Sequence, residues 1–188
     1  MKTTTIGITG DMGSFSYQAA EDYCKKSKME KYKIKQLGSA ENVLTSLDDK
    51  KIDLGIFPVV NSTGGAVIES IYAMSRHIFK IKEVVEIPVV HCLLTKPNTK
   101  KESIRNIASH DQAMKQCSTY LKKMWAEAKL HVTDDNTNAA KELAGGKLPD
   151  NTAVLAPESC AIIYGLTVME KGIQDLQFNF TNYLVVEK

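Results

Sequence analysis

Strand-like and helix-like segments alternate along nearly the whole chain, and this alternation constrains the fold more than any other feature. "TTIGI" (4–8) is apolar and β-branched, and "GSFSYQAAEDYCKK" (13–26) reads as a helix. The pattern repeats with strand "YKIKQL" (32–37), helix "SAENVLTSLDD" (39–49) and the buried-looking strand "IDLGIFPVV" (52–60). A third helix is expected over "GAVIESIYAMSRHI" (65–78), where Val67, Ile71 and Met74 share one face. Two β-like runs then adjoin without a helix in "IKEVVEIPVVHCLLT" (81–95), followed by strand "IRNIASH" and one long helix, "DQAMKQCSTYLKKMWAEA" (111–128). Strand "KLHVT", helix "NTNAAKELAGG", strand "NTAVLA", short helix "PESCAIIYG" and the terminal strand "NYLVVEK" complete the chain. Such alternation implies a layered α/β protein with a mainly parallel sheet. The broken rhythm near 79–90 predicts a crossing between two lobes, the first built from about residues 1–80 plus 179–188 and the second from 85–178.

The length of 188 residues allows two small lobes, and 43% hydrophobic residues are enough for two ordinary cores. A net charge of +2, with no basic stripe interleaved with aromatics, makes nucleic-acid binding an unexpected function. The N-terminus runs directly into a strand, no segment has the length of a membrane span, and no Cys/His group has zinc spacing. Cys24, Cys92, Cys117 and Cys160 are read as reduced, buried fillers of a cytoplasmic protein with neither metal nor cofactor.

Four junctions after strands are rich in small polar residues: Gly10–Ser16, Asn61–Gly65, Ser109–Gln112 and Asn136–Asn138. Helix capping explains most of them, and Ser109 with Gln112 has the spacing of a capping box. The same geometry suits a small carboxylate, because helix N-termini carry free N–H groups and junctions of this kind collect at the carboxyl ends of parallel strands. Gln112, Ala113 and Gln116 lie at helical spacing beyond Ser109, a face with hydrogen-bonding groups around a small side chain. No Ser/His/Asp arrangement or paired carboxylates accompany these groups, and His110 is read as a surface side chain. If the chain is an enzyme, its chemistry should need little acid–base strength.

"GDMGSFSYQAA", "VVNSTGG", "SHDQAMKQC", "YGL" and "NFTNY" stand in the order and spacing of prephenate dehydratase, which the chain resembles over nearly its full length. The resemblance implies a two-lobed fold of the type II periplasmic-binding-protein kind with the active site in the interlobe cleft. It also implies conversion of prephenate to phenylpyruvate, with loss of water and carbon dioxide, in phenylalanine biosynthesis. No ACT regulatory domain and no chorismate mutase helices are expected, and a homodimer is left open. Carried over position by position, the catalytic threonine is Thr181. Substrate-binding positions are Asn61, Ser62, Ser109, Gln116, Ser14, Ser16 and Thr137.

The chain departs from the family pattern in three places. Thr-Arg-Phe reads Thr181-Asn182-Tyr183, Glu-Asn-Ser reads Val60-Asn61-Ser62, and Gly-Pro reads Gly10-Asp11. In extended segments Asn182 faces away from Thr181 and Val60 away from Asn61. The missing Arg and Glu then read as an ion pair behind the site, lost together. If the arginine instead served the substrate, the chain would be a diverged decarboxylase-like enzyme or a non-catalytic small-carboxylate-binding protein.

Overall fold

The computed structural model describes residues 3–188. The chain forms two compact units: residues up to Pro88 together with Asn179–Lys188, and Val89–Phe178.

In the first unit, strands β1 (Thr4–Ile8), β2 (Tyr32–Gln36), β3 (Leu54–Asn61), β5 (Lys80–Pro88) and β11 (Phe180–Glu187) make a sheet of order β2-β1-β3-β11-β5, and the two-residue β4 (Gly65–Ala66) pairs with β3. Helix α1 (Phe15–Lys26) covers one face, with Ile6, Ile8, Ile56, Tyr183 and Val185 packed against Ala19, Ala20 and Tyr23. On the opposite face, α2 (Ala40–Asp48) and α3 (Ile68–Met74) close over Phe57, Leu184 and Val186. Gly7 and Gly55 face each other across β1 and β3. A Cβ on Gly55 would lie 2.7 Å from a Val43 methyl, and one on Gly7 2.6 Å from a Leu37 methyl, so a side chain at either position would force its neighbours to shift.

The first unit runs through β5 because that strand pairs with β11 from Phe180↔Pro88 to Glu187↔Lys80. The expected start of the second lobe at residue 85 therefore falls inside a strand of the first.

The second unit has β6 (Cys92–Thr95), β7 (Asn106–Ser109), β8 (Lys129–Val132), β9 (Thr152–Ala156) and β10 (Thr167–Lys171) in the order β10-β6-β9-β7-β8. Central β9 is buried at all five positions, which is why "TAVLA" reads as a continuous apolar run. Helices α6 (Asn136–Ala144) and α7 (Glu158–Tyr164) cover one face, and α4 (Asp111–Gln116) and α5 (Ser118–Met124) the other. Gly165, at φ 67°, ends α7 in the left-handed conformation that a side chain would strain.

Four expectations need correction. Both sheets are mixed rather than mainly parallel, since β11 runs antiparallel to β3 and β5, and β6 antiparallel to β9 and β10. The segment 167–171 is a strand that alternation did not announce. The long helix over 111–128 is two helices broken at Cys117, because Asp175 accepts from Thr119 N (2.9 Å) and Tyr120 N (3.1 Å) and caps a fresh start. Met114, Cys117, Leu121 and Trp125 are buried on one side across that break, so helical periodicity is preserved and conceals it. Finally, "NSTGG" is a turn into β4 rather than a helix start, and α3 begins only at Ile68.

A charged cluster closes the α2–α3 side. His77 places Nδ1 2.6 Å from Asp48 and Nε2 3.1 Å from Glu41, while Arg76 also binds Glu41 and Lys188 binds Asp48. The hydrogen bond to Asp48, then that to Glu41, raises the His77 pKa above its ordinary 6.5, and both carboxyls are lowered. A raised folded-state value means that His77 stabilises the protein fully below about pH 6.5 and loses this effect as pH rises through the folded value. The carboxylates' share is present above about pH 4.5 and fades in acid. Denaturation midpoints of wild type and His77→Gln should therefore differ most between about pH 5 and 6.5 and converge above the folded pKa.

Candidate active site

Antiparallel pairing sets Thr181 of β11 directly opposite Asn61, the last residue of β3. The Asn61 side-chain Oδ1 accepts from Thr63 N (3.0 Å), Gly64 N (2.7 Å) and Thr63 Oγ1 (2.8 Å). Those donors fix which way the amide points, since reversing it would set an NH2 against two backbone N–H groups. Nδ2 consequently faces three acceptors: Asn179 Oδ1 (2.8 Å), Phe180 O (2.9 Å) and Thr181 Oγ1 (2.9 Å). Thr181 is buried, at 8% exposure. Its oxygen receives an N–H from Asn61, so its own proton is directed elsewhere. The arrangement yields a hydroxyl oriented as a donor.

Ser62 completes this corner by exchanging bonds with Phe180: Ser62 N donates to Phe180 O (2.8 Å), and Ser62 Oγ accepts from Phe180 N (2.9 Å). Asn179 is 2% exposed, and its Nδ2 has no hydrogen-bond partner among the described residues. Leaving such a donor unpaired costs about 1–3 kcal/mol.

Tyr183 and Val185 lie against α1, whereas Leu184 and Val186 lie against α2 and α3. Strand alternation thus puts Thr181 on the α1 face and Asn182 on the other. Asn182 is opposite Val60 on one neighbouring strand and Glu86 on the other.

At the start of α1, Ser14 is the N-cap and accepts from Tyr17 N (3.2 Å). Ser16 is buried, with Oγ 2.9 Å from Thr9 Oγ1, and it also bonds the Tyr183 hydroxyl. Burial pushes the Tyr183 pKa well above its usual value, so the phenol stays neutral.

In the second unit, Ser109 ends β7 and is fully buried. Its hydroxyl donates to Asn136 Oδ1 (2.8 Å) or Leu155 O (3.2 Å). The expected capping box is absent: His110 is the N-cap of α4, with Nδ1 accepting from Gln112 N at 3.2 Å. Ser109 therefore cannot share a helical face with Gln116. Its strand holds it in the sheet, while exposed His110 makes the turn. Asn136 Oδ1 also accepts from His110 N (2.7 Å), tying the starts of α4 and α6 together. Asp135, rather than an asparagine, caps α6, accepting from Asn138 N at 2.8 Å. Thr137 is buried and bonds Cys160. Gln116 ends α4, with Oε1 2.7 Å from His91 Nε2.

Thus Asn61, Ser62 and Thr181 meet in one network of the first unit, where Ser16 belongs to a separate Thr9–Ser16–Tyr183 group. Ser109 and Gln116 belong to separate networks of the second. Sequence reasoning passed over His91 and gave Asn179 and Asn136 no role of their own. Asn179 and Asn136 lie inside quoted motifs, but only contacts 118 and 27 residues away show what they bind. No group of three or more His, Cys, Asp or Glu able to hold a metal occurs among the described residues, and no helix there is long and apolar enough to cross a membrane.

Two mixed α/β units, each carrying hydroxyls and amides at strand ends, make up the chain. The chain matches the prephenate dehydratase family over residues 6–188 and belongs to it. It is 36% identical over 136 residues to Arabidopsis thaliana arogenate dehydratase/prephenate dehydratase 6, covering 72% of this chain and 33% of that protein. To the bifunctional chorismate mutase/prephenate dehydratase of Escherichia coli it is 27% identical over 184 residues, 97% of this chain and 47% of that protein. The chain thus spans about a third to a half of these relatives. Its fold is shared with the prephenate dehydratase of Arthrobacter aurescens solved with L-Phe, at TM-score 0.89 and 19% identity, over 98% of this chain and 60% of that one.

Proposed function

We propose that the protein is a prephenate dehydratase of phenylalanine biosynthesis, and that Thr181 donates the proton to the departing hydroxyl. The observation that carries this reading is the Asn61 N–H on Thr181 Oγ1, which leaves the threonine proton available to a leaving oxygen. The ring carboxylate leaves as carbon dioxide and its bonding electrons enter the ring. The carbon–oxygen bond breaks as the ring becomes aromatic, and the hydroxyl leaves as water with the Thr181 proton. Solvent then reprotonates Thr181. Aromatisation drives the reaction, so a weak acid held in place is sufficient, and positioned donors contribute orders of magnitude in rate. In this reading Ser109, Gln116, Ser14, Ser16 and Thr137 bind substrate with Asn61 and Ser62. The departing carboxylate has no tight clamp, because strong ground-state binding there would oppose its loss.

Incubation with prephenate, followed by phenylpyruvate absorbance and carbon dioxide release, tests the proposal. Both products are expected. Carbon dioxide without phenylpyruvate would make the protein a decarboxylase, and saturable binding without either product would make it a binding protein. Arogenate is the second substrate to assay, because the relatives' names include it. All four cysteines are unbridged and buried, in keeping with a cytoplasmic protein. Light scattering decides between monomer and homodimer.

The cross-strand row at Asn182 gives a further prediction. Glu86 is the direct neighbour of Asn182 on β5, so an arginine introduced at 182 meets a carboxylate even with Val60 unchanged. Asn182→Arg should raise stability by about 0.2–1 kcal/mol, as cross-strand opposite charges do, and leave prephenate turnover unchanged. Adding Val60→Glu should stabilise again, and urea midpoints of the four-member cycle read both steps. A tenfold gain in turnover from Asn182→Arg alone would instead place that side chain on the substrate.

A further inference from the structure

In the second sheet the parallel neighbours β7 and β9 send their connections in opposite directions. From β7 the chain leaves through α4 towards β8 at one edge, and from β9 through α7 towards β10 at the other, with α4 and α7 on opposite faces. Connections that diverge in this way leave a crevice outside the carboxyl ends of the two strands, and ligands of parallel sheets settle there. Ser109, the last residue of β7, bridges this point with its hydroxyl 3.2 Å from Leu155 O of β9. Asn136, the first residue of α6, reaches the same point: its Oδ1 accepts from Ser109 Oγ (2.8 Å) and from His110 N (2.7 Å).

We propose that Asn136 is a substrate-binding residue, its NH2 donating to an acceptor oxygen of the substrate at the ends of β7 and β9. The proposal rests on the dehydratase reading given above. His110 N is a backbone donor and cannot accept, so it fixes the amide: turned over, the NH2 would face that N–H across 2.7 Å. This holds whichever of its two acceptors the Ser109 hydroxyl takes. Nδ2 therefore points away from Ser109 and His110, and it donates to no described residue. Asn136 is half-buried, and its Nδ2 is not enclosed by protein, so the NH2 is open to a ligand. The neighbouring Asp135 turns its carboxylate to Asn138 N at 2.8 Å. Besides its hydroxyl, prephenate offers two carboxylates and a keto oxygen, all acceptors that an amide NH2 suits. A donor already oriented by the backbone needs little further ordering when the ligand arrives. Fully buried Ser109 contributes to binding through Asn136, by holding its oxygen.

Asn136→Asp is the deciding variant, read as kcat/KM for prephenate with melting temperature alongside. It keeps an oxygen for His110 N and Ser109 and replaces the NH2 with a second oxygen. Its kcat/KM is expected to fall at least about tenfold, the scale of one lost hydrogen bond to a charged or polar ligand, and mainly through KM. Its melting temperature should stay within about 3 °C of wild type, because the brace between α4 and α6 survives. Asn136→Ala loses donor and brace together and should fall in both quantities. A residue that only braced the two helix starts would show the reverse, with the aspartate variant active and the alanine variant impaired. Wild-type kcat/KM in Asn136→Asp, or a loss confined to kcat, overturns the proposal. A second readout does not depend on the stability of these variants. In 15N-labelled Thr181→Val protein, which spares the prephenate, titration should shift the Asn136 side-chain NH2 resonances saturably, and unmoved resonances overturn the proposal. If wild type binds prephenate and shifts these resonances without forming phenylpyruvate, the dehydratase reading fails and Asn136 stands as a binding residue.

Discussion

Thr181→Val should lower prephenate turnover by at least about a hundredfold, the scale of a lost positioned proton donor. Valine matches threonine in shape, and its β-branch suits a strand, so packing at this buried position is retained. Asn61 loses one acceptor but keeps Asn179 Oδ1 and Phe180 O within 2.9 Å. Stability should change by less than about 1 kcal/mol. The loss should appear in kcat, with KM little changed, because the hydroxyl's contribution is made as the carbon–oxygen bond breaks. Steady-state phenylpyruvate formation with a parallel thermal melt separates the two quantities. A drop below about tenfold would assign proton donation to another group.

Asn61→Asp tests the other half of the pair, and here too a fall of about a hundredfold in kcat is expected. The substitution keeps the shape and retains an oxygen for the Thr63 and Gly64 N–H groups. It replaces the NH2 that faces Asn179 Oδ1, Phe180 O and Thr181 Oγ1 with a second oxygen. The carboxylate would draw the Thr181 proton towards itself, turning an outward donor into an inward one. Three facing oxygens disfavour the charged form, so the new carboxyl should have a raised pKa. Protonation restores a donor towards Thr181, and the variant should regain part of its turnover as pH falls, in contrast to Asn61→Ala. A pH profile of kcat parallel to that of wild type would show that the amide acts only as a brace for the turn.

Much of the site was legible as chemistry and little of it as geometry. Asn61 and Ser62 stood in a polar junction and Thr181 was named from the family resemblance, and hydrogen bonds link the three in one network. Ser109 was also found, but its supposed helical face with Gln116 dissolved once β7 was seen to run through it. Capping preferences are local, and Ser109 and His110 are adjacent residues that both accept such bonds. Which of them lies in the strand depends on pairing with β8 and β9, which arrive 20 and 43 residues later.

Local order settled the elements themselves. A helical apolar period marks α1, α2 and α6, which bury one face, while short continuous apolar runs mark β3 and β9, which are buried on both. That the first unit takes the terminal strand was an expectation from the family resemblance, and pairing of β11 with β3 and β5 decides it. Strand direction, the break at Cys117, the edge strand β10 and the amide networks of Asn61, Asn179 and His91 were decided by tertiary structure alone. Each rests on a hydrogen bond between residues far apart in the chain, from Asp175 to α5, from Asn61 to Thr181 and from His91 to Gln116. A hydrogen bond leaves no period in the sequence, because its partners need only meet in space.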